Sequence, residues 1–232
     1  MAPATEIPGA LLDALRDARH VCVLTGAGVS AESGVPTFRD AQEGLWARYR
    51  PEDLATPEAF LDDPALVWRW YRWRRDIVAN VEPNPGHTAL ARLARLVPQL
   101  TLVTQNVDNL HQRAGSSDVI EFHGNIFEDR CFADGTLHTA DDSLEIPLCP
   151  ECGACLRPGV VWFGEGIDPE VMSQVGTRVT CLLDDEADIR ALIKDILTDG
   201  RELELDSDLV VLITAMEPRV NPTLSDVLKV PV

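Results

Sequence analysis

The sequence is poor in positive charge. Its 232 residues include 20 Lys and Arg against 38 Asp and Glu, and the formal net charge is −18. Such an excess of negative charge repels phosphate backbones and anionic lipid, and it favours basic partners such as lysine-rich protein surfaces. We therefore expect no nucleic acid and no membrane among the partners of this chain.

Long apolar runs are also missing. The longest, at residues 160–163 and 209–213, fall far below the roughly 20 residues that a membrane-spanning helix needs. Residues 1–17 lack a basic region followed by a continuous apolar region, so they do not resemble a secretory signal, and we expect a cytoplasmic protein. With 45% hydrophobic and 25% charged residues, the composition excludes disordered, collagen-like and coiled-coil chains.

Hydrophobic periodicity predicts helices that alternate with strands. The predicted order is a helix at 8–19, a strand at 20–25, a helix at about 87–96, a strand at 100–104, a short helix at 107–114, a strand at 119–122, a helix at about 186–197 and a strand at 208–214. Such alternation indicates an α/β fold with a mainly parallel sheet. Residues 129–158 break the pattern with four cysteines and little periodicity, which is typical of a small inserted module.

A glycine-rich segment, GAGVSA at 26–31, directly follows the first predicted strand and matches G-x-G-x-x-[GA]. In one interpretation its backbone approaches a pyrophosphate; in the other it is a glycine turn with no ligand. The acidic residue that usually binds ribose follows a second strand about 20 positions later, and residues 46–54 do not look like such a strand. An ordinary dehydrogenase is therefore disfavoured.

The longer segment GAGVSAESGVPTFRD, at 26–40, resembles the sirtuin family of NAD-dependent protein deacylases. The resemblance continues in family order through GLW at 44–46, NPGH at 84–87, TQNVDNLH at 104–111, FHG at 122–124, CPECG at 149–153 and LRPGVVWFGE at 156–165. It implies an α/β fold, with a Rossmann-like parallel sheet and a small inserted cysteine-containing domain of the zinc type. The implied NAD-binding domain comprises 1–40, 76–128 and 156–232, and the small domain comprises 41–75 and 129–155.

The resemblance also implies the NAD site and the catalytic residues. NAD, the co-substrate, would contact Gly26, Ala27, Gly28, Ser30, Glu32, Pro36, Thr37, Phe38, Arg39, Trp46, Gln105, Asn106, Asp108 and Asn221. His123 would be the general base, with Asn106 as the second catalytic residue. Imidazole suits a base because its unperturbed pKa is about 6.5, and His123 follows a predicted strand, where open α/β sheets bind ligands. We interpret His87 and His111 as structural.

Tyr71 and Arg74 are three residues apart on a predicted helix, so their side chains share one face. In one branch of the sirtuins such a Tyr-x-x-Arg pair recognises an acidic acyl group, and the planar guanidinium group suits a carboxylate. Succinyl-lysine or malonyl-lysine is thus expected over acetyl-lysine. The alternative is an amphipathic helix whose arginines are merely solvated.

Four cysteines of the inserted module, Cys131, Cys149, Cys152 and Cys155, are candidate ligands of a structural zinc ion. The family pattern has two C-x-x-C pairs, but here Asp134 stands where the first pair should be completed. Either Cys155 supplies the fourth thiolate, or the module holds no metal and these cysteines are free thiols. Cys22 is expected in the core, and Cys181 has no assigned role.

After residue 165 the family pattern fails. Thr214, Ala215 and Met216 stand where a Gly-Thr-Ser loop is expected, and Asn221 follows much too soon. The primary hypothesis is NAD-dependent removal of succinyl and malonyl groups, and also acetyl groups, from the lysines of acylated proteins, giving nicotinamide and O-acyl-ADP-ribose. The alternative is a catalytically impaired sirtuin-like protein that binds acylated or basic protein surfaces.

Overall fold

The computed structural model describes residues 9–36, 49–140, 143–180, 190–194, 202–206 and 209–213. The helices in these ranges are α1 (Gly9–Asp17), α2 (Ala27–Ala31), α3 (Pro51–Leu54), α4 (Pro57–Asp62), α5 (Pro64–Ala79), α6 (Pro85–Leu93), α7 (Leu110–Arg113) and α8 (Pro169–Thr180). The strands are β1 (His20–Thr25), β2 (Gln99–Thr104), β3 (Val119–Glu121), β4 (Gly124–Cys131), β5 (Leu137–His138), β6 (Leu156–Val160), β7 (Arg190–Lys194), β8 (Glu202–Asp206) and β9 (Leu209–Ile213).

The main sheet is parallel throughout, with the strand order β3-β2-β1-β9. From β1 the chain adds β2 and then β3 on one side, and β9 later pairs on the other side of β1. In such sheets the crevice for a ligand opens at the carboxyl end of the strand where the order reverses, which here is β1. The predicted α/β fold with a parallel sheet is therefore confirmed.

The central strand β1 is buried along its whole length, as expected for a parallel strand covered on both faces. Cys22 is one of its buried residues, and burial raises the pKa of this thiol to about 11. The prediction that Cys22 belongs to the core is thus confirmed.

Three helices begin at a polar residue followed by proline. Thr56 accepts the Ala59 amide at 3.1 Å before α4, and Asp63 accepts the Leu66 amide at 2.9 Å before α5. Asn84 accepts the Gly86 amide at 2.8 Å before α6. The side chain satisfies an amide that has no partner within the helix, and proline fits the first helical position because it has no amide hydrogen to satisfy.

The helix predicted at about 186–197 is wrong over residues 190–194, which form strand β7; the rest of that segment lies outside the described residues. β7 pairs antiparallel with β8, and its register sets Arg190 opposite Asp206 and Lys194 opposite Glu202. Pairing between two strands overrides a local helix preference.

A second sheet, antiparallel with the order β5-β4-β6, forms much of the cysteine-containing module. Its core is shared with α5, since buried Trp68, Ile126 and Leu156 belong to one apolar cluster and the Trp68 indole donates to the Leu156 carbonyl at 2.9 Å. The division into two domains stays a prediction. Among the helices in the described ranges, none is both long and apolar enough to cross a bilayer.

Gly124 opens β4 in a conformation that a side chain would not tolerate. Its φ is +77°, and an added Cβ would collide with the carbonyl oxygen of Gly159 on β6. The left-handed conformation costs about 1–2 kcal/mol for a residue with a Cβ, and the collision adds to this cost. We expect Gly124→Ala to lower the free energy of unfolding by at least about 2 kcal/mol more than Gly115→Ala does.

Gly115 is the matched control because its φ is +100° and nothing lies within 4 Å of the position of an added Cβ. Urea unfolding of both variants and the parent measures the difference. Equal losses for the two variants would show that the approach of β4 to β6 relaxes without cost.

Candidate active site

Polar side chains join the carboxyl ends of β1 and β2. The Thr25 hydroxyl donates to the Thr104 hydroxyl at 2.8 Å, and the Gln105 amide donates to the Thr25 carbonyl at 2.9 Å. Gly26 then caps α2 with extended backbone, so the glycine-rich segment begins at the edge of the sheet where ligands bind.

Ser30, Asn106 and Asp108 meet at this edge. The Asn106 amide donates to Ser30 Oγ at 3.0 Å, and Ser30 Oγ donates to Asp108 Oδ2 at 2.6 Å. All three are nearly buried, with 1%, 9% and 4% of their surface exposed for Ser30, Asn106 and Asp108. The contact joins α2 to the loop after β2, across more than 70 residues of chain, and so brings together two motifs that the sequence assigned to NAD.

Two buried histidines lie beneath this network. The rings of His87 and His111 are 4.8 Å apart, and His87 Nε2 lies 3.3 Å from Ser30 Oγ. His111 Nε2 lies 2.9 Å from Thr25 Oγ1. Because Thr25 gives its own hydrogen to Thr104, its oxygen accepts one from His111 Nε2, so the proton of the neutral ring is on that nitrogen. Both histidines thus support the site, as the structural interpretation expects.

The histidine pair makes the fold sensitive to acid. Burial, together with the nearby His87 ring, lowers the pKa of His111 to about 4, and burial also lowers the pKa of His87. The unfolded chain, with a histidine pKa of about 6.5, binds more protons below that pH. Stability is therefore complete above about pH 6.5 and falls as the pH drops towards about 4, by up to about 3 kcal/mol for His111.

Urea unfolding at about pH 7 and about pH 4.5 measures this loss. His111→Gln keeps a polar side chain but cannot titrate, so we expect a smaller difference between the two pH values in this variant than in the parent. An equal difference in the variant would assign the acid sensitivity to other groups.

His123 lies two residues after the end of β3 and is 5% exposed. Its Nδ1 lies 3.1 Å from the Gln105 carbonyl oxygen, and its own carbonyl accepts the Val161 amide at 2.9 Å. A carbonyl only accepts, so Nδ1 carries the hydrogen and Nε2 carries the lone pair of the neutral ring. The ring is therefore held in the tautomer that a general base acting through Nε2 requires.

Tyr71 and Arg74 lie together on α5. Burial raises the pKa of Tyr71 to about 12 despite the opposing charge of Arg74, so the phenol stays neutral. The Trp162 indole donates to Tyr71 Oη at 2.9 Å. The Arg74 guanidinium group lies 5.1 Å from the Trp70 ring centroid, and burial lowers its pKa while the negative charge of Asp108 opposes that shift.

The other arginines of α5 bind to the cysteine-containing module. Arg75 pairs with Asp129 at 2.7 Å, Arg72 donates to the Glu145 carbonyl at 3.0 Å, and exposed Arg69 pairs with the Glu145 carboxylate at 2.8 Å. Their partners account for these three positions structurally. The interpretation of all the helix arginines as merely solvated is therefore wrong for Arg75 and Arg72.

Trp162 is a site residue to which the sequence assigned no role. The Arg157 guanidinium group lies 3.4 Å from its ring centroid, and the Trp162 amide donates to Glu165 at 2.8 Å. Arg157 in turn donates to Glu165 at 2.9 Å. These contacts fix the indole that meets Tyr71. The only signal for Trp162 in the sequence was its position in the segment LRPGVVWFGE at 156–165, two residues after the end of β6.

Three of the four candidate zinc ligands cluster. The sulfur atoms of Cys131, Cys149 and Cys152 all lie within 4.8 Å of one another, and Cys155 is not part of this group. The Cys131 and Cys152 sulfurs are 3.5 Å apart, close to the roughly 3.8 Å between two thiolates on tetrahedral zinc. None of the five described cysteines is in a disulfide. The cluster is thus compatible with a structural zinc ion, while Cys155 as a ligand stays a prediction.

Several predicted site residues lie outside the described residues, namely Thr37, Phe38, Arg39, Trp46 and Asn221, as do Cys181 and the segment 214–216. Of the others, Ala27 and Gly28 are half-buried in the first turn of α2. Glu32 is exposed at the end of α2, and Pro36 and Gln105 are half-buried. The NAD roles of all these residues stay predictions.

Comparison with known proteins shows the family of this chain. Residues 26–183 match the Sir2 family. The chain is 56% identical over 160 residues to NAD-dependent protein deacylase 2 of Pyrobaculum aerophilum, a match that covers 68% of this chain and 64% of that protein. It is 50% identical over 185 residues to NAD-dependent protein deacylase 1 of Pseudomonas aeruginosa, covering 75% of this chain and 74% of the relative.

Among solved structures, a Sir2 homologue in complex with NAD superimposes with a TM-score of 0.69 at 47% identity, covering 75% of this chain and 69% of the other. The chain therefore belongs to the Sir2 family. It spans about two thirds of the length of the Pyrobaculum relative.

Proposed function

We propose that this chain is an NAD-dependent protein-lysine deacylase. The observation that carries the proposal is the position of His123 just after β3, where its Nδ1–H donates a hydrogen bond to the Gln105 carbonyl oxygen. Buried amide, carboxylate and hydroxyl side chains also converge at the carboxyl edge of the parallel sheet. These hydrogen-bond donors and acceptors suit a dinucleotide, which carries amide and ribose groups.

NAD, when bound, supplies the ADP-ribosyl group that takes up the acyl group as nicotinamide leaves. The role of His123 is to accept a ribose hydroxyl proton at Nε2. The resulting imidazolium keeps its Nδ1 hydrogen bond to Gln105, and this bond stabilises the charged ring. Asn106 and Asp108, joined through Ser30, orient the nicotinamide and ribose groups against the glycine-rich segment.

Within this activity we propose a preference for acyl groups that end in a carboxylate. Because an indole nitrogen only donates, Tyr71 Oη is an acceptor towards Trp162, and the hydroxyl hydrogen of Tyr71 is directed elsewhere. Arg74 adds a positive charge one helical turn away. A succinyl or malonyl carboxylate can accept hydrogen bonds there from the Tyr71 hydroxyl and the Arg74 guanidinium group. An acetyl group has no carboxylate with which to form these charge-assisted hydrogen bonds.

The partners proposed for this activity are acyl-lysine proteins. The net charge of −18 favours lysine-rich surfaces, and a cytoplasmic location is part of the same proposal.

Calorimetric titration of the full chain with NAD separates this proposal from an impaired sirtuin-like protein. The segment 214–216, on which the impaired alternative rests, lies outside the described residues. We expect saturable binding of NAD at one site per chain, with nicotinamide released when a succinyl-lysine peptide is added. Absence of both binding and release would contradict the proposal and favour a protein that binds without turnover.

A further inference from the structure

The cysteine-containing module holds two turns of the same form. One is Cys131-Phe132-Ala133-Asp134-Gly135, and the other is Cys149-Pro150-Glu151-Cys152-Gly153. In each turn the glycine amide donates to the carbonyl oxygen of the first cysteine at 2.9 Å. The two glycines have φ values of +77° and +74°. The backbone thus gives the fourth residue of each turn the same place relative to the first cysteine.

The hydrogen bonds to sulfur repeat in the same way. The Cys131 sulfur accepts hydrogen bonds from the backbone amides of Ala133 and Asp134. The Cys149 sulfur accepts hydrogen bonds from the backbone amides of the corresponding residues, Glu151 and Cys152. Asp134 therefore occupies in the first turn the position that Cys152, a member of the sulfur cluster, occupies in the second.

Three sulfurs leave one position of a tetrahedral zinc site to be filled. Asp134 is beside the cluster, because its carboxylate hydrogen-bonds to the Cys131 thiol. Its oxygens do not lie within 4.8 Å of all three sulfurs, so the side chain must turn towards them to fill that position. Asp134 Oδ1 also accepts the Thr136 amide at 2.9 Å, which holds the carboxylate within the turn. Cys155 instead packs against the apolar cluster that contains Leu156, and its carbonyl accepts the Phe132 amide at 3.0 Å.

We propose that Asp134 supplies the fourth zinc ligand through a carboxylate oxygen, giving a site of three thiolates and one carboxylate. Zinc accepts carboxylate oxygen at about 2.0–2.2 Å and thiolate sulfur at about 2.3 Å, so the exchange changes the geometry little. It also keeps the formal charge that four thiolates would give. His138, whose Nε2 lies 3.3 Å from the Cys149 sulfur, acts as a hydrogen-bond donor to that ligand.

Zinc content and competition with a chromophoric chelator test the ligand set in the purified full chain. We expect one zinc per chain in the parent and in Cys155→Ser, and an affinity at least about 10-fold lower in Asp134→Ala. Zinc loss in Cys155→Ser, no zinc in the reconstituted parent, or a larger loss in His138→Ala than in Asp134→Ala would each overturn the assignment.

A variant that gains a ligand keeps the proposal testable even where Asp134→Ala folds poorly. Asp134→Cys should bind zinc at least as tightly as the parent. With cobalt(II) in place of zinc, its thiolate charge-transfer band should be stronger than that of the parent by about a third, since four thiolates replace three. Equal bands in the two proteins would show that Asp134 does not occupy a ligand position.

Discussion

Replacement of His123 by Ala or by Asn is expected to lower kcat/KM for a succinyl-lysine peptide by about 10²–10⁴-fold, the usual cost of losing a general base. Asn retains an amide that donates to the Gln105 carbonyl, where His123 Nδ1 lies at 3.1 Å, but it has no basic nitrogen. Both variants should therefore fold and bind NAD, and both should fail in proton transfer.

The two variants separate catalysis from structure. If Asn restored most of the activity that Ala removes, the hydrogen bond to Gln105 would explain the importance of the residue, and the role of general base would be withdrawn. Circular dichroism and calorimetric NAD titration of each variant check that the fold and the cofactor site survive.

Replacement of Arg74 by Met should lower kcat/KM for succinyl-lysine peptides roughly 10-fold to 150-fold and change acetyl-lysine turnover far less. This factor corresponds to the loss of about 1.5–3 kcal/mol of hydrogen bonding to a charged group. Met keeps much of the apolar stem but removes the guanidinium charge, which lies 5.1 Å from the Trp70 ring centroid on the same helix as Tyr71. Only a substrate with its own carboxylate loses a charged partner.

Arg69→Met is the matched control, since Arg69 lies on the same helix but pairs with Glu145 in an exposed position. Exposed ion pairs of this kind contribute little to stability. We therefore expect Arg69→Met to leave the ratio of succinyl to acetyl turnover unchanged. Equal losses for both peptides in Arg74→Met would show that Arg74 supports the fold or the NAD site generally, and the selectivity proposal would fail.

The parallel sheet was predictable because its strands are short apolar runs that end at polar motifs. His20–Thr25 was predicted with the bounds that the structure has, and the predicted bounds of β2 and β3 differ from the observed ones by one residue. A buried parallel strand needs apolar residues on both faces, so its sequence stands out from its surroundings. The same logic placed His123 at a strand end.

The antiparallel elements were not predictable from local sequence. β7 was predicted as a helix because Arg190–Lys194 has no strong strand signal, and its identity depends on pairing with β8. β4 and β6 likewise depend on partners at a distance in sequence. Burial along β4 does not alternate regularly, and Pro158 and Gly159 weaken the strand signal of β6. Long-range pairing of this kind leaves no mark within one segment.

Contacts within the site show the same limit. The sequence nominated Ser30 and Asp108 separately through two motifs, but only the fold shows that Ser30 donates to Asp108. It named Tyr71 but not Trp162, whose contact with Tyr71 crosses 91 positions. In the cysteine cluster, motif spacing identified Cys149 and Cys152, whereas the nearness of His138 required the pairing of β5 with β4.

The most direct test of the account is product analysis of one reaction that contains the full chain, NAD and a succinyl-lysine peptide. Mass spectrometry should find nicotinamide, unmodified lysine peptide and O-succinyl-ADP-ribose in equimolar amounts, and none of them without NAD. Removal of the succinyl group without NAD, or no removal with saturating NAD, would contradict the claim that this chain is an NAD-dependent deacylase.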